Sequence, residues 1–536
     1  MIDQMNRSVA ILVFALLLPL HSGAQELFTD FPTASLESWS VNNGTINLVG
    51  EPTWSAFPNS YRWVHFRAEG LLDTQPEFQI GSFSNSFFGD LTGHRFVWSH
   101  DQTNWSFFDN NFGNSNNFRF SNDTPFLEDD VFVAYSTPYP VQRTTEHVES
   151  LASEWFVTPT ASAKPNLVVG EIEDLPLYGF RITNPLVTEQ KAKVVLLGGN
   201  HSGEHGANFA LEGMLDFLTS DDPRAMQMRN VAEFFVYPQV DPLGRDEGYY
   251  RGNSQNAAND HNRFWDANVT GDNGGFAEID LVTGVLRNDT GGNVDYALDF
   301  HGFFNSGDDF IFTDTPGNNS EFIEELLTLV PSLGVELDDS TEPAGIFEIW
   351  ARTEEGLNAT LSFTPEFSPN ALASESIAVG ESYGLALFAE LGSPGFVRDT
   401  REVDTLTRAL LDGSQDLDLD LNRDGSLNDE DLNFLLDEIL DTTLGDTDLN
   451  GRVDFSDFLS LSNGFGGSGA WGDGDFDGNQ RIEFADFLVL SRNFGTTAVQ
   501  PVPEPSSHWL LTGFITIKFL IRKRIRPRRT TDLMQE

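Results

Sequence analysis

The stretch from Leu196 to His205 places two metal-binding side chains directly after a predicted strand. His201 and Glu204 lie three residues apart behind a pair of glycines, so both can reach one ion from the start of a helix. A third candidate, His301, ends another predicted strand. Three protein ligands and one water form the open tetrahedral site of a hydrolytic zinc ion. The chain has no cysteine, so histidines and carboxylates must supply the ligands of any such ion.

A second zinc pattern overlaps the first. Residues 201–205 spell His-x-x-Glu-His, in which both histidines bind zinc from consecutive turns of one helix and the glutamate is the base. Glycine in the interior of a helix destabilises it, and four glycines lie within or beside this segment: Gly198, Gly199, Gly203 and Gly206. We therefore expect His205 to be a pocket or helix-start residue. A lone His-x-x-Glu also arises easily by chance, so other motifs must support it.

Three further motifs follow in an order that resembles the zinc carboxypeptidase family. They are Asn262-Arg-Phe264, Asp299-Phe-His-Gly302 and Thr364-Pro-Glu366, and the resemblance covers about residues 160–392. Three other segments resemble the cytosolic carboxypeptidase-like branch of that family: Phe132-Val-Ala-Tyr-Ser-Thr-Pro-Tyr139, Asp241-Pro-Leu-Gly244 and Tyr250-Arg251.

The resemblance implies a role for each side chain in these motifs. His201, Glu204 and His301 would bind one catalytic Zn²⁺, and Glu366 would take a proton from the attacking water and pass it to the leaving amine. Asn262 and Arg263 would bind the terminal carboxylate of the substrate, a task suited to a planar guanidinium. Arg251 would polarise the scissile carbonyl. Asp299 would orient a ligand or cap a strand.

Three departures from the family pattern stand out. His261 occupies the position before Asn-Arg where the family commonly has an apolar residue, and Asp241 replaces the usual asparagine. The stretch from Thr341 to Trp350 contains no tyrosine, although the family often places a mobile tyrosine there to cover the substrate. Either another residue closes the site or the substrate class is unusual.

The elements around these motifs predict an α/β fold. Apolar segments such as 193–197 and 233–237 alternate with the helical pattern of 207–218, which indicates a mixed, mainly parallel sheet with flanking helices. Short alternating segments rich in aromatic residues precede it and predict an antiparallel β domain. We divide the chain into five parts: 1–24, a signal peptide; 25–160, the β domain; 161–393, the catalytic domain; 394–498, calcium-loop repeats; and 499–536, a sorting signal.

The acidic region 394–498 contains three calcium-loop repeats, which predict a small all-α module. Oxygen ligands at loop positions 1, 3, 5 and 12 wrap a hard cation when position 6 permits a sharp turn. The ligands would be Asp420, Asn422, Asp424 and Asp431; Asp446, Asp448, Asn450 and Asp457; and Asp475, Asp477, Asn479 and Asp486. Gln480 replaces the glycine of the third loop, which should therefore bind more weakly. The loops resemble dockerin repeats, which dock onto cohesins, but a calcium-stabilised spacer holding two to three Ca²⁺ is the favoured interpretation.

Segments near both ends of the chain have features that predict export. Arg7, the apolar segment 9–20 and the small residues 22–24 form a secretory signal, too short for a membrane span. Near the other end, Val502-Pro-Glu-Pro-Ser506, an apolar segment and an arginine-rich tail resemble the bacterial PEP-CTERM sorting signal, whose tail is processed by the export and surface-sorting machinery. A net charge of −51 disfavours nucleic acid as a partner.

These features predict a secreted or surface-exposed bacterial metallocarboxypeptidase that acts on the C-terminus of a peptide or protein. Two alternatives remain open. The same scaffold could serve as a zinc amidase or deacylase on cell-wall peptides or acylated amino acids, since those substrates also carry carboxylates. A catalytically inert adhesion module is the other, and the intact ligand set argues against it.

Overall fold

The computed structural model describes most of the chain outside its two ends. The described residues are 25–50, 63–81, 91–114, 117–188, 190–255, 260–265, 276–303, 307–313, 321–337, 345–391, 400–415, 419–421, 425–436, 440 and 442–496. They fall into two compact units that separate between residues 396 and 397. The predicted signal peptide and sorting signal lie outside the described residues, as do Asn422, Asp424 and residues 392–399.

The larger unit begins with ten strands. They are β1 (Glu26–Phe28), β2 (Ser38–Asn42), β3 (Thr45–Val49), β4 (His65–Glu69), β5 (Glu77–Ile80), β6 (Val97–Ser99), β7 (Ser106–Phe107), β8 (Asn110–Asn114), β9 (Asn117–Ser121) and β10 (Val131–Ala134). They form two five-stranded sheets, in the orders β1-β4-β10-β6-β7 and β2-β3-β5-β9-β8. Every pair is antiparallel except β3 and β5, so the predicted antiparallel β domain is confirmed.

The aromatic residues of this domain form its core. Phe78 and Phe120 alternate with polar residues along β5 and β9 and are fully buried. Phe96 stacks on Phe120 with ring centroids 4.2 Å apart. Alternation of this kind buries one face of each strand and leaves the other to solvent.

A helix and a short strand that the sequence did not predict follow the β domain. Helix α1 (Val141–Leu151) buries Val148 and Leu151 in the core of the next domain, and β11 (Val157–Pro159) belongs to the sheet of that domain. Residues 141–159 therefore pack with the domain that follows the β domain.

The central domain is built on an eight-stranded sheet, in the order β11-β14-β16-β15-β17-β20-β18-β19. After β11, the strands of this sheet are β14 (Phe180–Ile182), β15 (Ala192–Gly198), β16 (Ala232–Tyr237), β17 (Tyr296–Gly302), β18 (Phe310–Thr313), β19 (Gly334–Leu337) and β20 (Leu361–Phe367). Two further strands, β12 (Val168–Ile172) and β13 (Leu175–Tyr178), form a separate hairpin. β16, β15, β17 and β20 run parallel at its centre, while β14 and β18 pair antiparallel with them. The predicted mixed, mainly parallel sheet is confirmed.

Helices cover both faces of this sheet. They are α2 (His205–Thr219), α3 (Pro223–Val231), α4 (Pro242–Asp246), α5 (Ala277–Thr290), α6 (Glu321–Leu329), α7 (Phe347–Arg352) and α8 (Ala373–Glu390). Val194 and Leu196 of β15 pack in one core with α2 and α8, while Val195 and Leu197 pack in a second core with α5 and α7. Burial on both faces explains why β15 reads as a continuous apolar segment. Its C-terminal end, together with those of β17 and β20, lies at one edge of the sheet.

The smaller unit is helical over its described residues, which contain no strand. Its helices are α9 (Arg401–Leu411), α10 (Asp429–Phe434), α11 (Phe455–Gly464) and α12 (Phe484–Asn493). Trp471 is fully buried and donates a hydrogen bond from Nε1 to the carbonyl of Asp446 at 2.7 Å. Among the described residues of the whole chain, no helix combines the length and the hydrophobicity required to span a bilayer.

Candidate metal centre

The loop between β15 and α2 carries His201 and Glu204. Gly199 adopts a φ of +64°, a left-handed conformation that glycine enters without steric cost, and it turns the chain at the end of the strand. Gly203 lies so close to Tyr250 that a Cβ atom there would be 2.7 Å from the Tyr250 Cα. This close approach brings the neighbouring Arg251 to the loop.

The structure brings the three predicted zinc ligands together. His201 Nδ1 lies 3.0 Å from Glu204 Oε1, and His301 Nδ1 lies 2.9 Å from Glu204 Oε2. One ligand atom from each residue lies within 4.8 Å of the other two, and all three residues are buried. Each histidine therefore presents the same ring nitrogen, Nδ1, to a shared point beside the carboxylate.

The opposite ring nitrogens of both histidines are held by carboxylates. Asp260 Oδ1 lies 2.7 Å from His201 Nε2, and Asp299 Oδ2 lies 2.7 Å from His301 Nε2. Asn200 donates to the same Asp299 oxygen at 2.9 Å. A carboxylate that accepts from the far nitrogen fixes the tautomer and orientation of a metal-binding imidazole. The residues present thus fit a Zn²⁺ ion held by two Nδ1 atoms and a carboxylate.

Asp260 was not singled out from the sequence, although it lies two residues before Asn262. Asp299 was predicted either to orient a ligand or to cap a strand, and its contact with His301 corresponds to the first of these roles. Burial opposes ionisation of Asp260, but the neighbouring His201 and Arg251 bring the pKa of this carboxyl well below its usual value. Glu204 behaves in the same way, because His201 and Arg251 outweigh the effect of burial on its pKa.

Arg251 lies against the ligands. Its guanidinium donates to Asp260 Oδ2 at 2.9 Å and to Glu204 Oε1 at 3.2 Å, and it lies 3.0 Å from His201 Nε2. The neighbouring carboxylates raise the pKa of Arg251 despite its burial. The side chain is thus a fixed positive charge at the edge of the site.

Asn262 and Arg263 occupy different environments. Asn262 is buried, with Nδ2 at 3.3 Å from His301 Nε2 and Oδ1 accepting from the Phe347 amide at 2.8 Å. Arg263 is exposed, and its guanidinium donates to the carbonyl of Asn262 at 2.7 Å. The first residue joins the ligand cluster, whereas the second stands at its solvent side.

Glu366 lies on β20 directly opposite His301 of β17. Its side chain is partly exposed, and its Oε2 atom is buried without a hydrogen-bond partner. Burial, followed by repulsion from Glu204, raises the pKa of Glu366 to about 8. A cation between the three ligands would favour the ionised form of this carboxyl.

His205 is the first residue of α2, so His201 and His205 do not occupy consecutive turns of one helix. The His205 ring stacks on Trp63 with centroids 3.9 Å apart, and its Nδ1 accepts from the Tyr139 amide at 2.7 Å. The overlapping His-x-x-Glu-His pattern therefore does not form here. Of residues 341–350, which contain no tyrosine, residues 345–350 are described, and the last four of them lie in α7.

Solved structures share this architecture. A metallo-carboxypeptidase from Burkholderia cenocepacia aligns over 68% of this chain and 98% of its own, with a TM-score of 0.59 and 18% identity. One from Pseudomonas aeruginosa aligns over 68% of this chain and 100% of its own, with a TM-score of 0.57 and 19% identity. The chain has the metallocarboxypeptidase fold.

Curated proteins match part of this chain in sequence. Cytosolic carboxypeptidase 2 of Homo sapiens is 31% identical over 133 residues, which cover 24% of this chain and 14% of that protein. Cytosolic carboxypeptidase 3 of Mus musculus is 27% identical over 166 residues, or 30% of this chain and 16% of that protein. The chain therefore matches only a small part of these relatives' length. No protein-family model matches the chain. The predicted resemblance to carboxypeptidases is confirmed in sequence and in fold.

The described residues of the smaller unit contain two further clusters of carboxylates. Asp446, Asp448 and Asp457 lie within 4.8 Å of one another, as do Asp475, Asp477 and Asp486. The last aspartate of each loop accepts from the second backbone amide of that loop: Leu421 to Asp431 at 2.8 Å, Thr447 to Asp457 at 2.7 Å and Phe476 to Asp486 at 2.8 Å. Burial and the neighbouring acids raise the pKa of Asp475 to about 6.

Proposed function

We propose that this protein is a zinc metallocarboxypeptidase that hydrolyses the last peptide bond of peptides or proteins. The convergence of the His201 Nδ1, Glu204 carboxylate and His301 Nδ1 atoms carries the proposal. The similarity of sequence and fold to carboxypeptidases supports it.

Each side chain around the ligands has a separate task. A bound zinc ion would polarise the scissile carbonyl and acidify a water ligand. Glu366 accepts the proton of the attacking water and donates it to the departing amine. Asp260 and Asp299 hold the two imidazoles in orientation.

The positive charges recognise the substrate. Arg251, fixed by Asp260 and Glu204, stabilises the negative charge that develops on the carbonyl oxygen. Arg263 lies at the solvent side, where its planar guanidinium can bind the two oxygens of a free C-terminus. Asn262 fixes the turn that carries Arg263, because its Oδ1 accepts from the amide of Phe347.

Paired peptides test this function. We would incubate the purified chain with a set of peptides of varied C-terminal residue, each with a free carboxylate or a C-terminal amide, and identify the products by mass. The proposal expects stepwise loss of single residues from the free-carboxylate members only. Cleavage of acylated amino acids or cell-wall peptides in the absence of this trimming would instead establish the amidase or deacylase alternative.

Asp260→Asn should weaken zinc binding while leaving every ligand in place. The amide can no longer pair as an anion with both His201 and Arg251, and loss of such a supporting carboxylate typically costs about 10–100-fold in metal affinity. Competition with a chromogenic chelator measures the change. Asp222→Asn, at a partly exposed helix cap, is the matched control and should leave the affinity unchanged. If the Asp260 variant bound zinc as tightly as the wild type, Asp260 would not support the His201 ligand.

We propose that the acidic loops of the smaller unit bind two to three Ca²⁺ ions. Clusters of three carboxylates within 4.8 Å repel one another, and a hard cation with oxygen ligands relieves this repulsion. The Asp420 loop is described only in part, and the second and third loops carry this proposal. Titration of the chelator-treated protein with Ca²⁺ in a calorimeter measures the number of ions bound per chain.

Gln480→Gly should strengthen calcium binding by the third loop. Gln480 has a φ of 62° where the second loop has Gly451, and both amides donate to the first aspartate of their loop at 2.7 Å. A side chain in the left-handed region costs roughly 1–2 kcal/mol, partly offset by the flexibility of glycine. We expect a net gain of about 1 kcal/mol in calcium binding, measured by the same titration. Arg481→Gly is the control, and an equal gain there would exclude the conformational explanation.

We also propose that the protein is exported and sorted to the bacterial surface. The signal-like start and the PEP-CTERM-like end support this, and both lie outside the described residues. Mass determination of the chain recovered from a producing bacterium would show whether residues 1–24 and the 499–536 tail have been removed.

A further inference from the structure

A triad of ionisable side chains is buried outside the metal centre. Asp241, His261 and Glu278 have side-chain exposures of 0%, 0% and 1%. Asp241 caps α4, His261 begins the short turn 261–263, and Glu278 lies in the first turn of α5. The triad therefore joins three elements that are separate in the sequence.

The His261 ring lies between the two carboxylates. Its Nε2 atom contacts Glu278 Oε1, and its Nδ1 atom faces Asp241 Oδ2 at 3.6 Å. The second separation is too long for a hydrogen bond but short enough for an ion pair. Asn253 donates to Asp241 Oδ1 at 3.2 Å and to Glu278 Oε1 at 2.5 Å, so one amide links both acids. Contacts at both edges of the ring fix its position.

This arrangement favours a positively charged His261. A neutral imidazole has one N–H group and would turn the lone pair of its other nitrogen toward a carboxylate, whereas an imidazolium carries a proton on both nitrogens. Burial opposes the charge, but Asp241, Glu278 and Asp260 outweigh it and raise the pKa of His261. The ring of Phe276 also packs on His261, with centroids 3.7 Å apart, and adds no charge.

The positive charge is required because both acids of the triad are ionised at neutral pH. Burial raises the pKa of Asp241, but only to about 6. Burial acts in the same direction on Glu278, but the contact with His261 outweighs it and lowers the pKa of that carboxyl. Among the described residues, no lysine or arginine lies within ion-pair distance of either carboxylate. Buried carboxylates without a cationic partner carry a large desolvation cost.

The triad holds the middle of a turn whose other side chains reach the metal centre. Asp260, on one side of His261, lies 2.7 Å from His201 Nε2 and accepts from the Asn262 amide at 3.0 Å. Asn262, on the other side, contacts the second histidine ligand. Arg263 follows at the solvent side. Because these residues are consecutive, a shift of His261 displaces its neighbours as well.

The sequence gives an independent reason to consider this contact. Asp241 and His261 are two of the positions at which the chain departs from the carboxypeptidase pattern, with aspartate in place of an asparagine and histidine in place of an apolar residue. The structure shows that the two departures face each other. One introduces a buried negative charge, and the other introduces the group that can balance it.

We propose that His261, held as an imidazolium between Asp241 and Glu278, is a positioning residue for substrate binding. It fixes the turn from which Arg263 binds the terminal carboxylate of the peptide, and it keeps Asp260 at the metal centre. Without the imidazolium, the two acids repel each other and the turn shifts. The role of Arg263 rests on the proposed peptidase function, but the charge of His261 and its effect on zinc binding can be measured without turnover.

His261→Leu tests the positioning role, because leucine is apolar like the residue that the family commonly has at this position. We expect KM for free-carboxylate peptides to rise about 10–100-fold, with a smaller loss in kcat, since a misplacement of about 1 Å has effects of this size. Zinc affinity, measured by chelator competition, should also fall. His147→Leu is the matched control: it removes an imidazole of α1 that pairs with Asp216 at 2.9 Å, and it should leave KM and zinc affinity unchanged.

A rescue experiment tests the coupling of the two departures. Adding Asp241→Asn to His261→Leu removes one of the two uncompensated charges, so the double variant should recover most of the lost substrate and zinc affinity. A double variant that is as impaired as His261→Leu would overturn the coupling. Unchanged KM and zinc affinity in His261→Leu, or an equal change in the His147 variant, would overturn the positioning role. If the leucine variant does not fold, His261→Gln, which keeps a donor for Glu278 but has no charge, takes its place with the same outcomes.

The charge of His261 is tested on the zinc-loaded wild type by nuclear magnetic resonance of isotope-labelled histidine. At neutral pH, one buried ring should carry slowly exchanging protons on both nitrogens, and this signal should be missing from the double variant. A His261 ring with a proton on one nitrogen only would overturn the imidazolium. If the wild type trimmed no peptide, the proposed function would fail, and the resonance and zinc measurements would still decide on the triad.

Discussion

Glu366→Gln retains zinc and the native fold but loses about 10²–10⁴-fold in kcat/KM on a cleavable peptide. Glutamine has nearly the same shape as glutamate, so it leaves the pairing of β20 with β17 undisturbed. It cannot accept the proton of the attacking water, and general-base catalysis by one side chain contributes a factor of this size. Peptide hydrolysis followed by mass, with zinc content and circular dichroism on the same sample, measures the separation between chemistry and folding.

Glu348→Gln is the matched control for this substitution. Glu348 is buried in α7 and accepts at 2.9 Å from the hydroxyl of Thr364, which lies on β20 two residues before Glu366, but Glu348 does not belong to the ligand cluster. A glutamine can keep that hydrogen bond, so turnover should stay close to that of the wild type. If both variants were equally active, Glu366 would not be the base; if both were equally impaired, the defect would lie in the packing of β20.

Much of the metal centre was predictable because a parallel sheet brings strand ends together. His201, His301 and Glu366 each follow or end an apolar segment, and the carboxyl ends of adjacent parallel strands form one edge. The sheet order that makes β15, β17 and β20 neighbours then places the three residues together. Two ligands that are nearly a hundred residues apart in the sequence, Glu204 and His301, can therefore meet because β15 and β17 are neighbours in the sheet.

The residues that support the ligands were harder to predict. Asp260 contacts His201 and Arg251 from a loop whose path depends on tertiary packing, and no period in the sequence marks it. The approach of Arg251 depends on Gly203 lying against Tyr250, a backbone contact that neither residue type reveals alone. The cluster of His261 with Asp241 and Glu278 was visible only as two unexplained departures.

The β domain also contributes more than its sequence indicated. Trp63 from its core stacks on His205 at the start of α2, and the amide of Tyr139 donates to the same ring. Arg245 completes this contact by donating to the carbonyl of Tyr139 at 3.0 Å. The segment that resembles the cytosolic carboxypeptidase-like branch thus contacts the start of the helix that follows His201 and Glu204.

Glu204→Gln removes the catalytic ion and, with it, all measurable peptide hydrolysis. The Glu204 carboxylate lies within 3.0 Å of both histidine Nδ1 atoms, accepts from the Gly302 amide at 2.9 Å and pairs with Arg251. An amide keeps the size of the side chain but removes the negative charge that a divalent ion requires. The loss of affinity should exceed the ~10–100-fold that follows from losing an outer partner such as Asp260.

Zinc per chain after dialysis, together with chelator competition, measures the effect of Glu204→Gln. Glu212→Gln is the control, because Glu212 is a buried carboxylate on α2, the helix that follows Glu204, and it pairs with Arg143 at 2.6 Å and not with the histidines. That variant should keep its zinc and its turnover even if its thermal stability falls. A Glu204 variant that binds zinc as tightly as the Glu212 variant would show that Glu204 is not a ligand. The ion would then have to be held by the two histidines with Asp260 or Asp299, whose carboxylates face the opposite ring nitrogens.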